Sequence, residues 1–305
     1  MTLPQIDFMG KRKIAAGFSI LLVLLAFGDF LWRGLNLGLD FTGGTLVEVQ
    51  FPQSVEAVAV RQYLEQAGFA GGLVQYFGSD RDLAVRMPPQ LDREQAAMGD
   101  AILVALRSFD PDVRLMQSNY VGPAVGEELR DDAGLALIAA LVLVMVYILF
   151  RFTKQFAVGA VVALIHDVII VVGLFALFQW TFDLAVLAAV LAVIGYSLND
   201  TIVVSDRIRE NFRTIRRATP EEVINRSLNQ ILGRTLVTSL TTLLVLVALL
   251  IAGGETIRGF ATALAIGVVV GTYSSIYVAA NVLLFMNISR EDLLLPEKEG
   301  EPEET

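Results

Sequence analysis

The chain has 305 residues, of which 55% are hydrophobic and 18% charged, and a mean hydropathy of +0.62; this exceeds what one soluble core shows and predicts an integral membrane protein. It has no cysteine and one histidine, His166, which excludes disulfides, thiolate metal sites and cysteine nucleophiles and leaves the histidine without a second soft ligand for a metal. The net charge of −9 argues against nucleic acid as a partner, because a phosphate-binding protein carries a basic face.

Crossing a hydrocarbon core of about 30 Å takes about 20 helical residues, and six stretches qualify: 14–32, 133–150, 156–180, 184–206, 234–252 and 260–286. The first follows Lys11, Arg12 and Lys13 and ends in GDFLWRG with no small-x-small cleavage site, which reads as an uncleaved signal anchor. Next comes LNLGLDFTGGT (35–45), where Gly43 and Gly44 permit backbone angles closed to other residues and Asp40 and Thr42 can bond nearby amides. That string predicts a sharp ordered turn, or a hinge between the membrane part and an external domain.

Residues 34–132 hold 15 acids and 7 bases. TLVEVQF (45–51) alternates as a strand, SVEAVAVRQYLEQAG (54–68) has helical spacing, and LVQYFGS reads as a strand closed by a Gly-Ser-Asp turn. DLAVRMP is then a strand, 91–109 a helix that Asp92 could cap, and VRLMQSNYV a last strand. The order β-α-β-β-α-β predicts a ferredoxin-like α+β domain of about 80 residues beside a six-helix membrane bundle. The domain division read from this is 1–33 (cytoplasmic N-terminus and first membrane helix), 34–132 (external domain with linkers), 133–286 (membrane helices two to six) and 287–305 (cytoplasmic acidic tail). The tail ends EKEGEPEET, lacks large apolar residues and is expected to be disordered.

Short loops that carry Lys and Arg stay in the cytoplasm. Arg151 and Lys154 lie between the second and third spans, and Arg207, Arg209, Arg213, Arg216, Arg217 and Arg226 between the fourth and fifth, whereas the opposite turns hold only Arg258. Both termini are therefore expected in the cytoplasm and 34–132 outside.

Ionisable residues inside the spans carry the functional reading, since such residues mark substrate or ion pathways. His166 and Asp167 fall close to the midplane of the third span; helix neighbours point about 100° apart, so at most one faces a given partner, and hydrogen bonding between helices competes with direct proton transfer. In the fourth span, Tyr196, Ser197, Asn199, Asp200 and Thr201 make a polar patch, with Asp200 about 24 Å below Leu184 at 1.5 Å per residue. Arg234 opens the fifth span at matching depth, and Thr238, Thr241 and Thr242 extend a polar stripe from it. Moving Arg234 by a few ångströms would switch Asp200 between holding and releasing a proton; the competing reading is a static ion pair, with Arg234 reaching for headgroups. The sixth span carries Ala263, Gly267, Gly271, Ser275 and Ala279 at intervals of four, a pattern that lets another helix approach closely.

The strings LNLGLDFTGG (35–44), VGPAVGEEL (121–129), IHDV (165–168), GYSLNDTIVVSDRIREN (195–211), RTLVTSLTTLL (234–244) and GVVVGTYSSIYVA (267–279) together resemble the SecF family of protein-translocation subunits, relatives of the resistance-nodulation-division transporters. The family pattern has Phe where Ser205 stands. The resemblance implies a protein of the cytoplasmic (inner) membrane with a ferredoxin-like periplasmic domain, paired with SecD and associated with the SecYEG channel, SecA and YajC. It also implies that Asp200 and Arg234 couple inward proton flow to movement of the periplasmic domains, assisting late stages of export of unfolded polypeptide, with protons as coupling ion and no cofactor. A small-solute or cation efflux subunit and a purely structural translocon subunit remain alternatives. No G-x-S-x-G, H-E-x-x-H or phosphate-binding glycine loop followed by Lys occurs, which speaks against an enzyme.

Overall fold

The computed structural model describes residues 5–90 and 97–293. The Asp92 cap and the part of the expected acidic tail beyond Leu293 lie outside the described residues; the start of that tail, expected to be disordered, instead forms a short helical turn, Glu291–Leu293, with Leu293 buried and its carbonyl accepting from Arg213 Nε. Six helices are long and apolar enough to cross a membrane: α1 (Arg12–Arg33), α5 (Pro123–Arg151), α6 (Lys154–Phe178), α7 (Leu184–Thr214), α8 (Pro220–Ala252) and α9 (Gly254–Phe285). Between α1 and α5 lie β1 (Asn36–Leu37), α2 (Leu39–Thr42), β2 (Gly44–Gln50), α3 (Ala57–Gln66), β3 (Leu73–Phe77), β4 (Ser79–Met87), α4 (Met98–Phe109) and β5 (Arg114–Val121), and β6 (Thr181–Phe182) joins α6 to α7.

Several helices outrun their apolar segments. Pro123 stands in the first turn of α5, where its missing N–H costs nothing, so the helix begins directly after β5 and carries Glu127, Glu128, Asp131 and Asp132 before its apolar run. At the other end, α7 continues through Arg207, Arg209 and Arg213, and α8 opens with a capping box in which Thr219 and Glu222 satisfy each other's backbone amides. Apolarity marks only the part of a helix that lies in lipid; caps set where the helix stops.

Chain alternation builds the outer sheet. In β2, Val47 and Val49 point inward opposite Val85 and Leu83 of β4, and Met98, Ile102 and Leu106 of α4 recur every four residues to cover that face, as do Val60 and Leu64 of α3. All nine are at most 1% exposed. The strand order is β3-β4-β2-β5, with every pair antiparallel. A feature the sequence did not signal is the parallel pairing of β1 with β6, Asn36 opposite Thr181 and Leu37 opposite Phe182, which ties the segment after α1 to the α6–α7 turn.

In the membrane layer, α9 packs against α6, α7, α8 and α1. The small-residue face of α9 meets α7 in parallel: Gly259 lies on Val186, Gly267 on Val193 and Gly271 on Ser197, while Gly159 of α6 lies against Ala279. A Cβ at Gly267 would overlap the Val193 side chain. By contrast α1 buries only Ser19 and α5 only Gly126 and Ile148, and large apolar side chains such as Trp32 and Phe150 are exposed. Gly267→Leu is expected to force α7 and α9 apart and destabilise the bundle by about 1–3 kcal/mol, read as a lowered thermal midpoint in detergent; an unchanged midpoint would mean that the two helices do not touch there.

Candidate functional site

Asp200 points into the bundle and is 8% exposed. Its Oδ1 accepts from Thr235 Oγ1 of α8 at 3.0 Å, and its Oδ2 accepts a short bond from Ser275 Oγ of α9. Behind it on α7, Thr201 is buried with its hydroxyl unpartnered among the described residues. Ser205, one turn further, is also buried.

Asp167 of α6 is a second interior carboxylate and is wholly buried. Its Oδ2 accepts from Ser197 Oγ of α7 at 2.5 Å and from Ser274 Oγ of α9 at 2.8 Å, and its Oδ1 lies 3.0 Å from His166 Nδ1. Helix neighbours are expected to serve different partners, and the two here divide the work in an unforeseen way: Asp167 reaches the other helices while the His166 ring turns back along its own helix to the carboxylate. Tyr273 of α9 stacks on that ring at 6.2 Å between centroids, and its hydroxyl bonds Ala15 O and Ser19 of α1.

Adjacent residues of α9 thus serve both carboxylates, Ser274 one and Ser275 the other. Each hydroxyl has a second acceptor on its own helix: Gly271 O at 3.2 Å for Ser274 and Thr272 O at 3.1 Å for Ser275. A hydroxyl has one O–H to give. While a carboxylate is ionised the serine donates to it; once the carboxylate is protonated the serine can donate to the backbone and accept from the acid. Either protonation state therefore leaves the carboxylate and its serine hydrogen-bonded, the condition for a carboxylate that changes state inside a protein. A neighbouring hydroxyl chain, Tyr196 to Ser239 (3.4 Å) to Thr272 (2.6 Å), crosses α7, α8 and α9.

Three expectations need correction. Arg234 forms no ion pair with Asp200; the Arg234 residue is exposed on the outer face of α8, and Thr235, about 100° further round, takes the contact instead. The expected stripe of Thr238, Thr241 and Thr242 likewise faces outward, and each hydroxyl bonds carbonyls of its own helix. Asn199 is exposed as well and does not join the patch formed by Ser197, Asp200 and Thr201. Sequence reasoning misses Thr235 because Arg234 beside it is the louder residue, and it assigns Ser275 to packing and passes over Ser274. A serine pair inside a small-residue stripe, placed level with two intramembrane acids, is the available signal.

Where the helical bundle meets the four-stranded sheet, the glycine pair forms an ordered turn. Gly43 (φ 66°) ends the short helix α2, and Gly44 (φ 113°) starts β2 with its backbone against Met87 O. Asp40 Oδ2 accepts from the Leu184 amide at 3.0 Å, and Asp183 Oδ1 accepts from Val186 at 2.8 Å, so two carboxylates cap α7. Arg86 of β4 donates to Leu37 O at 2.8 Å and balances both acids electrostatically. Burial lowers the Arg86 pKa from its ordinary value; burial raises that of Asp183, and repulsion from Asp40 adds to the rise against the Val186 bond. A cleft of about 520 Å³, lined by Leu37, Gly43, Leu73, Arg86, Pro88 and Gln179 among others, opens beside this cluster.

Because the folded pKa of Asp183 lies above the ordinary carboxylate value, its contribution to stability is greatest at low pH and falls as pH rises through the raised pKa. Asp183→Asn, an equivalent cap that cannot ionise, is expected to flatten this slope in thermal unfolding as pH rises above about 4, whereas Asp183→Ala loses about 1 kcal/mol of capping throughout. Identical slopes for parent and Asn variant would contradict the assignment.

Residues 101–289 match the model of the SecD/SecF protein export membrane protein C-terminal family, and residues 33–55 match the SecD/SecF GG motif. The chain is 49% identical over 294 residues to protein translocase subunit SecF of Pseudomonas aeruginosa, covering 96% of this chain and 95% of the relative. It is 46% identical to SecF of Escherichia coli O157:H7, covering 96% and 92%. A crystal structure of SecDF from Thermus thermophilus, a translocon-associated membrane protein, superposes with a TM-score of 0.85 at 40% identity over 94% of this chain and 39% of that chain. A second SecDF structure, in a super-membrane-facing form, gives 0.70 over the same shares. With a multi-pass bundle, the GG turn and near full-length identity to such relatives, the chain belongs to the SecF family of protein translocase subunits.

Proposed function

We propose that the chain is a proton-driven, non-enzymatic subunit of the Sec export machinery, in which Asp200 takes up and releases the coupling proton and Arg234 tunes it. The observation that carries this is Asp200 itself: an acid buried in a membrane span, hydrogen-bonded by two neutral hydroxyls, one of which, Ser275, has an alternative acceptor, with Arg234 in electrostatic range but not in contact. Arg234 stands one residue from Thr235 on the exposed face of α8, so a small rotation of α8 changes its distance to Asp200 without breaking the helix. One charge moving across 100 mV supplies about 2.3 kcal/mol, enough to shift a two-state equilibrium by more than tenfold though not to reverse a strongly one-sided one.

The orientation follows the basic loops: both termini cytoplasmic, residues 34–132 periplasmic, the whole in the inner membrane. The strand order β3-β4-β2-β5 with two helices on one face supports a ferredoxin-like reading of the periplasmic domain. SecD is the expected partner, because the Thermus thermophilus relative is a protein translocase subunit SecDF of which this chain matches 38%, and the exposed apolar faces of α1, α5 and α8 offer area for a second half. SecYEG, SecA and YajC, and unfolded polypeptide as cargo, complete the reading by family resemblance.

Reconstituted with SecD, Asp200→Asn is expected to abolish export driven by the proton-motive force, since the amide keeps size and hydrogen bonding but cannot ionise. Thr235→Val, which removes one donor at constant shape, is expected to slow it about tenfold, in line with a charge-assisted bond of about 1.5–3 kcal/mol. Arg234→Lys should retain part of the rate and Arg234→Met none. Normal export by the Asp200→Asn protein would reject the relay and favour a structural subunit.

A further inference from the structure

The junction between sheet and bundle holds a charge whose bonding is unfinished. On the bundle side the chain is fixed. Phe41 of α2 lies buried in one apolar cluster with Phe182, Leu164 and Val168, Gly38 N donates to Phe182 O at 2.7 Å, and a Cβ on Gly38 would stand 2.8 Å from the Asp183 Cβ. On the sheet side β2 begins at Gly44, and between the two lie Gly43 and Gly44, both at positive φ. Arg86 bridges this junction: it belongs to β4, and its Nη1 donates to Leu37 O on the bundle side at 2.8 Å. Its Nε is buried and has no partner among the described residues. Asp183 and Asp40 attract the guanidinium from the bundle side, yet neither forms an ion pair with it. A buried N–H without an acceptor is costly, and a carboxylate is the acceptor that an arginine fork fits best.

We propose that Arg86 is a latch between sheet and bundle with two seatings. In the first, seen here, Nη1 holds Leu37 O. In the second the sheet swings about Gly43 and Gly44, and the Nε–Nη edge of the guanidinium forks onto the Asp183 carboxylate, with Asp40 beside it. Only hydrogen bonds are exchanged, and no covalent bond forms or breaks. The first seating keeps a bond to a neutral carbonyl and leaves Nε idle; the second satisfies Nε with a charge-assisted bond and gives up Leu37. Asp183 can take this partner without giving up its capping role, since its Oδ1 already accepts from Val186 and a carboxylate has lone pairs to spare. Asp183 caps α7, the helix that carries Asp200, so the second seating fastens the sheet to the end of that helix. The latch goes beyond the proton relay and stands without it, because its two seatings are defined by contacts at the junction and not by the state of Asp200.

Because the chain has no cysteine, two introduced cysteines can carry spin labels with no background from this chain. Gln75→Cys on β3 and Thr256→Cys on α9 are both exposed sites, one on the sheet and one on the bundle. The distance between the labels is measured by pulsed electron resonance on the full chain, reconstituted in lipid with SecD freed of its own cysteines. Two distance populations are expected. Arg86→Gln, which can still donate to Leu37 O but carries no charge, should cut the share of the second population about tenfold, the scale of one charge-assisted bond. Asp183→Asn, which still caps α7, should do the same, and adding it to Arg86→Gln should lower the share no further, since both remove one contact. Arg86→Lys, which keeps the charge without the fork, should restore part of that population and part of the export rate that Arg86→Gln loses. A single distance in the parent protein overturns the proposal, as do parental proportions in Arg86→Gln or losses from Arg86→Gln and Asp183→Asn that simply add. Export by Arg86→Gln at the parental rate overturns it too.

Discussion

The bond between a short hydroxyl and a buried carboxylate governs this membrane core. Serine reaches only as far as its single Cβ allows, so Ser275 can touch Asp200 and Ser274 can touch Asp167 only where α9 lies very close to α7 and α6. Gly267 and Gly271 on one side and Gly159 on the other supply that closeness. The small-residue stripe and the acids are therefore one device. Stripping a buried charge of its partner costs about 3–5 kcal/mol, so any movement that separates these helices must first protonate or re-pair the acids.

Full ion pairs are found toward the helix ends. Arg151 and Asp206 meet at 3.2 Å with both side chains over 40% exposed, Arg207 and Glu210 at 2.9 Å, and Arg33 pairs with Asp29 at 3.2 Å. The exposed pairs Arg151–Asp206 and Arg207–Glu210 contribute roughly 0–1 kcal/mol each. Among the described residues, neither Asp200 nor Asp167 is paired with an arginine or lysine. The interior is organised by neutral donors that rotate, the rims by charges that stay put.

Much of this is legible in the residues. Runs of apolar residues locate six helices, alternation in TLVEVQF and DLAVRMP locates the strands, and the depth of Asp200 identifies it as an interior acid. What escapes is direction. Period 3.6 places residues on faces but does not say which face another helix covers, so Arg234 and Thr235 exchange places as partners of Asp200, and Asn199 is counted on the wrong side. Ser274 and Ser275 stay hidden because serine in a membrane helix serves packing and hydrogen bonding alike. The pairing of β1 with β6 escapes because two residues on each side, so far apart in the chain, leave no local pattern.

The chain enters and leaves the outer unit at nearly the same place. Gly43, at the end of α2, has its Cα facing Pro123 so closely that a Cβ would stand 2.9 Å from the proline Cα, and Gly126 packs on Gly43 as well. Were the sheet to tilt, these two converging strands would give it one fulcrum. With β4 nine residues long, the sheet is a lever arm of about 30 Å at 3.3 Å per residue, and a tilt of about 10° at that fulcrum would carry its far edge through about 5 Å while the glycines and the proline barely translate.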